Sequence, residues 1–326
     1  MQGWRFRLFG TCLVALGCGS VQPEAAGVPD ATPATSPDGG PTDPEAGIPS
    51  GVTPPPGCPR FASPVSVGAL SSPLLTEVSG LALSTAHPGT FWVHNDSGDS
   101  ARLFALGATG AVQSEITVLG AQTIDWEDLA LAPDAQGRQT LYIADIGDNN
   151  QVRGSVALYA VPEPDPGLGP KQDAQASKIT LRYPEAKAHN AEAIFVDPAT
   201  GELFLITKDL GGYSKLFVAQ SRGPAEQEFA LVRSFEFGRG ALVPGTLVTG
   251  AAMSADGSSI LVRTYFSAFL WRRAPGQSVA QALEAAPCPV PLAKETQGET
   301  IAFGPSGYFT LSEGKGAQLF SYARLP

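Results

Sequence analysis

The chain has 326 residues and a formal net charge of −10; 43% of it is hydrophobic, only 16% is charged, and Gly and Pro number 37 and 29. An acidic chain with no basic cluster is a poor partner for nucleic acid or an anionic membrane surface, so metal cations are its natural counter-charges. The turn-rich composition, without long amphipathic periods, excludes a helical bundle and favours an exported all-β domain.

Residues 1–17 are predicted to be a signal peptide: Arg5 and Arg7 precede the apolar run Leu8 to Leu16, too short to span a bilayer as a mature helix. The run ends VALGCGS, which resembles a bacterial lipobox with Cys18 as the lipidated residue, although Ala15 stands where Leu is more usual. Gly19 rather than Asp follows Cys18, so resemblance to that class implies an outer-membrane lipoprotein facing the periplasm or the cell surface. Ordinary signal cleavage nearby is the alternative. From Val21 to Pro56 there are ten Pro and five acidic residues but no Lys, Arg or aromatic residue. Such a segment buries too little apolar surface to offset its chain entropy, and residues 18–57 are expected to be a disordered, Pro-rich, lipid-anchored tether. Membrane contact is expected only through the anchor.

Of the four cysteines, Cys12 falls in the signal peptide and Cys18 is the lipid candidate. Cys58 and Cys288 are left for the folded region, residues 58–326, and in an oxidising compartment they are expected to pair. Two free buried thiols are the alternative.

Beyond Cys58 a unit of roughly 50 to 60 residues recurs, a period that signals stacked or radial repeats. Each unit opens with a small turn and a short apolar run: EVSGLAL, TIDWEDLAL, HNAEAIFV, TGAAMS and QGETIAF. Further short runs rich in Val, Ile, Leu, Phe and Tyr follow, bounded by turns such as DPATG, SADG and GPSG. Four-stranded units around an axis make a β-propeller, here with five blades. The last unit is one strand short, and VSVGAL, residues 65–70, is placed to supply that strand and close the ring. A six-bladed ring with a degenerate blade around residues 221–250, and a β-sandwich without the repeat, are the competing folds. Two insertions stand out: a Pro/Asp loop at residues 161–175 in blade two, and residues 239–250 between blades three and four.

In a propeller the turns leading into the inner strands share a face with the turns joining second to third strands. That face would collect Asp125, Glu127 and Asp128; His189, Asn190, Glu192 and Glu299; His94, Asn95, Asp96 and Asp99; Asp145, Asp148 and Asn149; Lys208 and Asp209; Arg263, Tyr265, Glu313 and Lys315. Aligning EDLAL, EAIFV and ETIAF places Glu127, Glu192 and Glu299 at one position, where blades one and four carry Ser79 and Gly250. Carboxylates so close must bind a cation, raise their pKa or recruit basic partners. With Asp145 and Asp96 they form an oxygen-rich set suited to Ca2+ ahead of Mg2+. A plug neutralised by Lys208, Arg263 and backbone N–H groups is the competing reading. Lys208 and Arg263, on adjacent blades, are candidates to grip an anionic group, and His94 or His189 to move protons. The Asp/Asn/Gly turns lack the twelve-residue spacing and closing Glu of an EF-hand.

The segments QGETIAFGPSGYFTLSEG and NAEAIFVDPATGELFLITK resemble the blade signature of secreted phytase-like and esterase-like propellers, and more distantly the gluconolactonase and senescence-marker group. The resemblance implies a divalent ion held by acidic and Asn residues at the channel mouth, here Glu127, Glu192, Glu299 and Asp145. The chain departs from the propeller phytases in having few basic residues on that face, which argues against a highly phosphorylated substrate.

Two functions are therefore expected in competition. One is a metal-dependent hydrolase of a small ester, lactone or phosphoester. The other is a monomeric, non-catalytic propeller that binds a glycan, peptide or envelope partner and uses Ca2+ to rigidify its rim.

Overall fold

The computed structural model describes residues 55–209, 213–236 and 246–326. The signal peptide, Cys18 and the tether through residue 54 lie outside the described residues, as do residues 237–245, which include the first part of the predicted link 239–250 between blades three and four.

Strand β1 (Val65–Ala69) precedes blade one, which comprises β2 (Val78–Leu83), β3 (Phe91–Asn95), β4 (Arg102–Leu106) and β5 (Val112–Leu119). Blade two follows with β6 (Trp126–Pro133), β7 (Gln139–Asp145) and β8 (Val156–Pro162), then β9 (Lys171–Gln175) and β10 (Ser177–Arg182). Next come β11 (Ala191–Val196), β12 (Glu202–Thr207), β13 (Tyr213–Gln220), β14 (Glu226–Glu228) and β15 (Ala230–Glu236). Blade four is β16 (Val248–Met253), β17 (Ser259–Thr264), β18 (Ala268–Arg272) and, after the single helix turn α1 (Val279–Ala282), β19 (Cys288–Val290). Blade five is β20 (Gly298–Gly304), β21 (Gly307–Ser312) and β22 (Gln318–Ala323).

Five separate sheets result, and their inner strands touch in the cyclic order β2, β6, β11, β16, β20 and back to β2. The molecule is a five-bladed β-propeller. Alternation along the strands explains the packing, because successive side chains point to opposite faces of a blade. In β7, Leu141 and Ile143 join a cluster with blade-one residues such as Trp92 and Leu103, while Tyr142 and Ala144 join Leu203 and Leu205 of blade three. Each of the five buried apolar clusters fills one gap between neighbouring blades. The first-to-second strand turns of blades one to four place Gly89, Gly137, Gly201 and Gly257 at positive φ, the conformation that favours glycine.

The ring closes as the sequence suggests: β1 pairs antiparallel with β22 as the outer strand of blade five. Cys58 and Cys288 form a disulfide that anchors the residues before β1 to β19 of blade four, across a separation of 230 residues.

Two features depart from expectation. The Pro/Asp insertion is not merely a loop, since β9 pairs parallel with β5 and gives blade one a fifth strand. Likewise β14 pairs parallel with β10 on the edge of blade two, so the stretch 221–250 serves blades two, three and four. A bare outer edge offers unpaired N–H and C=O groups, and these short strands cover them.

Candidate functional site

All five inner strands carry a register irregularity near their start, at Val78/Gly80, Trp126/Asp128, Ala191/Ala193, Val248/Gly250 and Gly298/Thr300. A β-bulge inserts one extra residue and re-aims a side chain. The extra residues are Ser79, Glu127, Glu192, Thr249 and Glu299. The expected equivalence of the three glutamates therefore holds, with Thr249 rather than Gly250 at the blade-four position. Ser79 and Thr249 use their hydroxyls to bond the next blade, to the carbonyls of Glu127 and Gly298.

The glutamates are buried. Burial and the Glu192 carboxylate raise the Glu127 pKa well above its usual range. Asp96, from the β3–β4 turn, and Asp125, just before β6, complete an acidic group: one oxygen each from Asp96, Asp125 and Glu127 lies within 4.8 Å of the others. Two oxygens bound to one Ca2+ can stand up to about 5 Å apart, so the group is within reach of a single ion. Burial, followed by Asp125 and Glu192, pushes the Asp96 pKa up to about 6. Gly147, in the DIGDNN turn, lies against this group: a Cβ there would fall 2.2 Å from Glu127 Oε1 and 2.4 Å from Asp125 Oδ2. Only a bare Cα leaves both oxygens their space.

Glu192 links the acids to a cation. Its Oε2 is 3.0 Å from Lys208 Nζ, and its Oε1 accepts from Asn190 Nδ2 at 3.1 Å. Lys208 also donates to the Tyr265 hydroxyl at 2.9 Å. Burial opposes the Lys208 charge, yet Glu192, Glu299 and Tyr265 together raise its pKa. Glu299 has a buried Oε2 with no hydrogen-bond partner, and burial pushes its pKa up to about 8 against the pull of Lys208. Glu313, beyond β21, is pushed up to about 7 by burial and then by Glu77 and Asp96.

Other expected site residues are placed elsewhere. Asp128 is not part of the mouth group but crosses the channel. Its Oδ1 accepts from its own strand, at Leu129 N, while its Oδ2 accepts from Ile194 N at 2.8 Å and Ala251 N at 3.3 Å. Blades two and four are not neighbours, so this carboxylate must span the axis. Arg263 is fully buried and pairs with Glu295 Oε2 at 2.8 Å while donating to the Thr300 carbonyl at 2.8 Å. It fastens blade four to blade five instead of standing beside Lys208 as an open anion grip, because Glu295, outside the repeat register, claims its guanidinium. Asp145 is fully buried, pairs with Arg153 at 2.9 Å and accepts from Asp125 N at 3.1 Å, so it orders the turn beneath the acids.

Both histidines pack against aromatic rings, His94 buried and His189 half-buried. His94 is completely buried, donates Nδ1–H to the Asn95 carbonyl at 2.9 Å, and packs edge-on against Trp126. His189 packs on Tyr183 and Phe217 in the blade two–three gap. Burial lowers the pKa of each. Trp126 itself is core, as its apolar surroundings require. Asp125, Tyr265 and Gly147 gain roles that sequence reasoning did not give them. The closest signal was the placement of Asp125 and Tyr265 on the same face, whereas the steric need for Gly147 appears only with the fold.

Fold and site thus define a five-bladed propeller with an acidic channel mouth closed underneath by Asp128. No family model matches the chain, and no curated protein matches it. Among solved structures the chain is similar to one in "Crystal structure of Nidogen/Laminin Complex", at 13% identity and a TM-score of 0.43, with 73% of each chain covered.

Proposed function

We propose that the protein is an exported, lipid-anchored propeller that holds one divalent cation, Ca2+ ahead of Mg2+, at its acidic mouth and uses that mouth to bind a small anionic, glycan or peptide ligand of the cell envelope. The observation that carries this reading is the convergence of Asp96, Asp125 and Glu127 oxygens within 4.8 Å, in a space that Gly147 leaves open. The donor set is all oxygen, as a hard cation prefers. A bound cation would offset the mutual repulsion of these acids and present positive charge to an anionic ligand group. Glu192 and Lys208 then orient around it, and Tyr265 offers a hydroxyl at the rim. Cys18 would anchor a monomer to the outer membrane through the tether.

A metal-dependent hydrolase of an ester, lactone or phosphoester is the second reading. The Lys208–Tyr265 pair near Glu299, whose buried Oε2 has no partner, favours it. Glu299 would take the proton-handling role expected of the histidines, and Lys208 alone would orient the anionic group.

Thermal unfolding with Ca2+ and with chelator separates these possibilities from a purely structural plug. Ca2+ at about a hundred times its Kd should add about 2.7 kcal/mol and raise Tm by several degrees. Asp96→Asn and Glu127→Gln should abolish the response; an unresponsive wild type would defeat the reading. Turnover of ester, lactone or phosphoester substrates that Glu299→Gln removes would favour the hydrolase.

A further inference from the structure

The register that puts carboxylates at one mouth puts apolar side chains at the other. Four residues beyond Ser79, Glu127, Glu192, Thr249 and Glu299 stand Leu83, Leu131, Val196, Met253 and Phe303. All five line a cavity of about 910 Å3 at the far ends of the inner strands. Asp128 lies across the axis between this cavity and the acids, and no carboxylate of the acidic mouth lines it. The cavity is therefore separate from the acidic mouth.

Its charged lining is basic: Arg272, Arg273 and Arg324 stand against one carboxylate, Asp256. Asp256 is engaged by the Ser254 and Ser258 hydroxyls at 2.6 and 2.8 Å, and Arg273 pairs with Asp197 at 2.8 Å. Arg272 donates to the Gly57 carbonyl at 3.2 Å, and neither Arg272 nor Arg324 is in an ion pair among the described residues. An excess of cations around an apolar well, on a chain of net charge −10, is complementary to a ligand with an apolar body and an anionic end.

We propose that this well binds a free long-chain carboxylate, a fatty acid, with its acyl chain among Leu83, Leu131, Met253 and Phe303 and its carboxylate at Arg272 and Arg324. The volume is within the range of small-molecule pockets, about 300–1,000 Å3. The five inner-strand residues that line the well offer no polar side-chain group, so the hydroxyls and amines of a sugar or nucleotide seated among them would be buried without partners. A wholly apolar ligand would leave Arg272 and Arg324, which line the well, without an anionic partner.

The test uses the full chain with Cys18→Ser, so that no attached lipid competes. Cis-parinarate, a fluorescent fatty acid, is titrated at neutral pH and displaced with palmitate or with methyl palmitate. Saturable binding of one fatty acid per chain is expected, with the methyl ester weaker by about ten-fold or more. Arg272→Glu with Arg324→Glu should weaken parinarate by about ten-fold or more. Both positions are exposed, so folding should be kept, and an unchanged melting curve verifies this. Ala252→Trp, which fills the well, should block binding, whereas Glu127→Gln should leave it unchanged, separating this site from the cation reading. The proposal is overturned by absence of saturable binding to the wild type, by an ester as tight as the acid, or by binding that survives the arginine reversals in a folded protein. Association with phosphatidylglycerol vesicles that palmitate does not displace would overturn it too, assigning this face to a membrane.

Discussion

Asp128 shows how much one side chain can carry. It is buried, and burial raises its pKa well above the usual range, yet it accepts three backbone N–H groups from blades two, three and four. Asp128→Asn keeps the volume but turns an NH2 group toward N–H donors, leaving buried groups without acceptors. The expected cost is about 1–3 kcal/mol, measured by denaturant unfolding, and a loss near zero would show that Asp128 does not staple the ring. Gly147 is the complementary case. Gly147→Ala places a methyl group where Glu127 and Asp125 oxygens stand, so it should keep the fold and lose the Ca2+ response. The histidines carry a lesson at this scale: HND and HNA sit on the predicted face by position in the chain, but an imidazole beside Trp126, Tyr183 or Phe217 packs with its aromatic neighbours.

At the level of strands and turns, the inner-strand device was legible because one physical requirement recurs. A bulge that aims a side chain at the mouth, followed by a run buried between blades, writes a polar residue before alternating apolar ones. The missing strand of blade five and its donor were legible for a similar reason, since an incomplete blade leaves an open edge. By contrast β9 and β14, KQDAQ and EQE, carry no β-branched or aromatic pattern, and their strand state comes from the edges they cover. The Arg263–Glu295 pair was also hidden, because Glu295 lies outside the repeat register and only the fold brings it to Arg263. The disulfide reinforces the closing element from outside the sheet. Cys58→Ser with Cys288→Ser should lower stability by about 2–5 kcal/mol while leaving the β-rich circular dichroism spectrum unchanged. A melting curve unchanged by the substitutions would show that β1 and β22 close the ring unaided.

Across the whole molecule, the two mouths divide the chemistry: an oxygen-rich acidic end, an apolar end with a basic rim, and Asp128 between them. The acidic end has a pH signature. Asp96, Glu313 and Glu299, with pKa values pushed up to about 6, 7 and 8, hold more protons folded than unfolded. Their stabilising contribution is complete below about pH 4, the unfolded carboxyl range, and is lost as pH rises through the folded values of about 6 to 8. Metal-free protein should therefore melt at progressively lower temperature between about pH 5 and 9, and Glu299→Gln should flatten the slope. A Tm that rose over this range would contradict the assignment. A cation held by Asp96 would displace the proton that residue carries, so the central claim is tested most directly by calorimetric titration of Ca2+ into the full chain at about pH 8. The account predicts saturation at one Ca2+ per chain for the wild type and for Asp145→Asn, and no binding for Glu127→Gln or Gly147→Ala. Absence of binding to the wild type, or binding unaffected by Glu127→Gln, would contradict it.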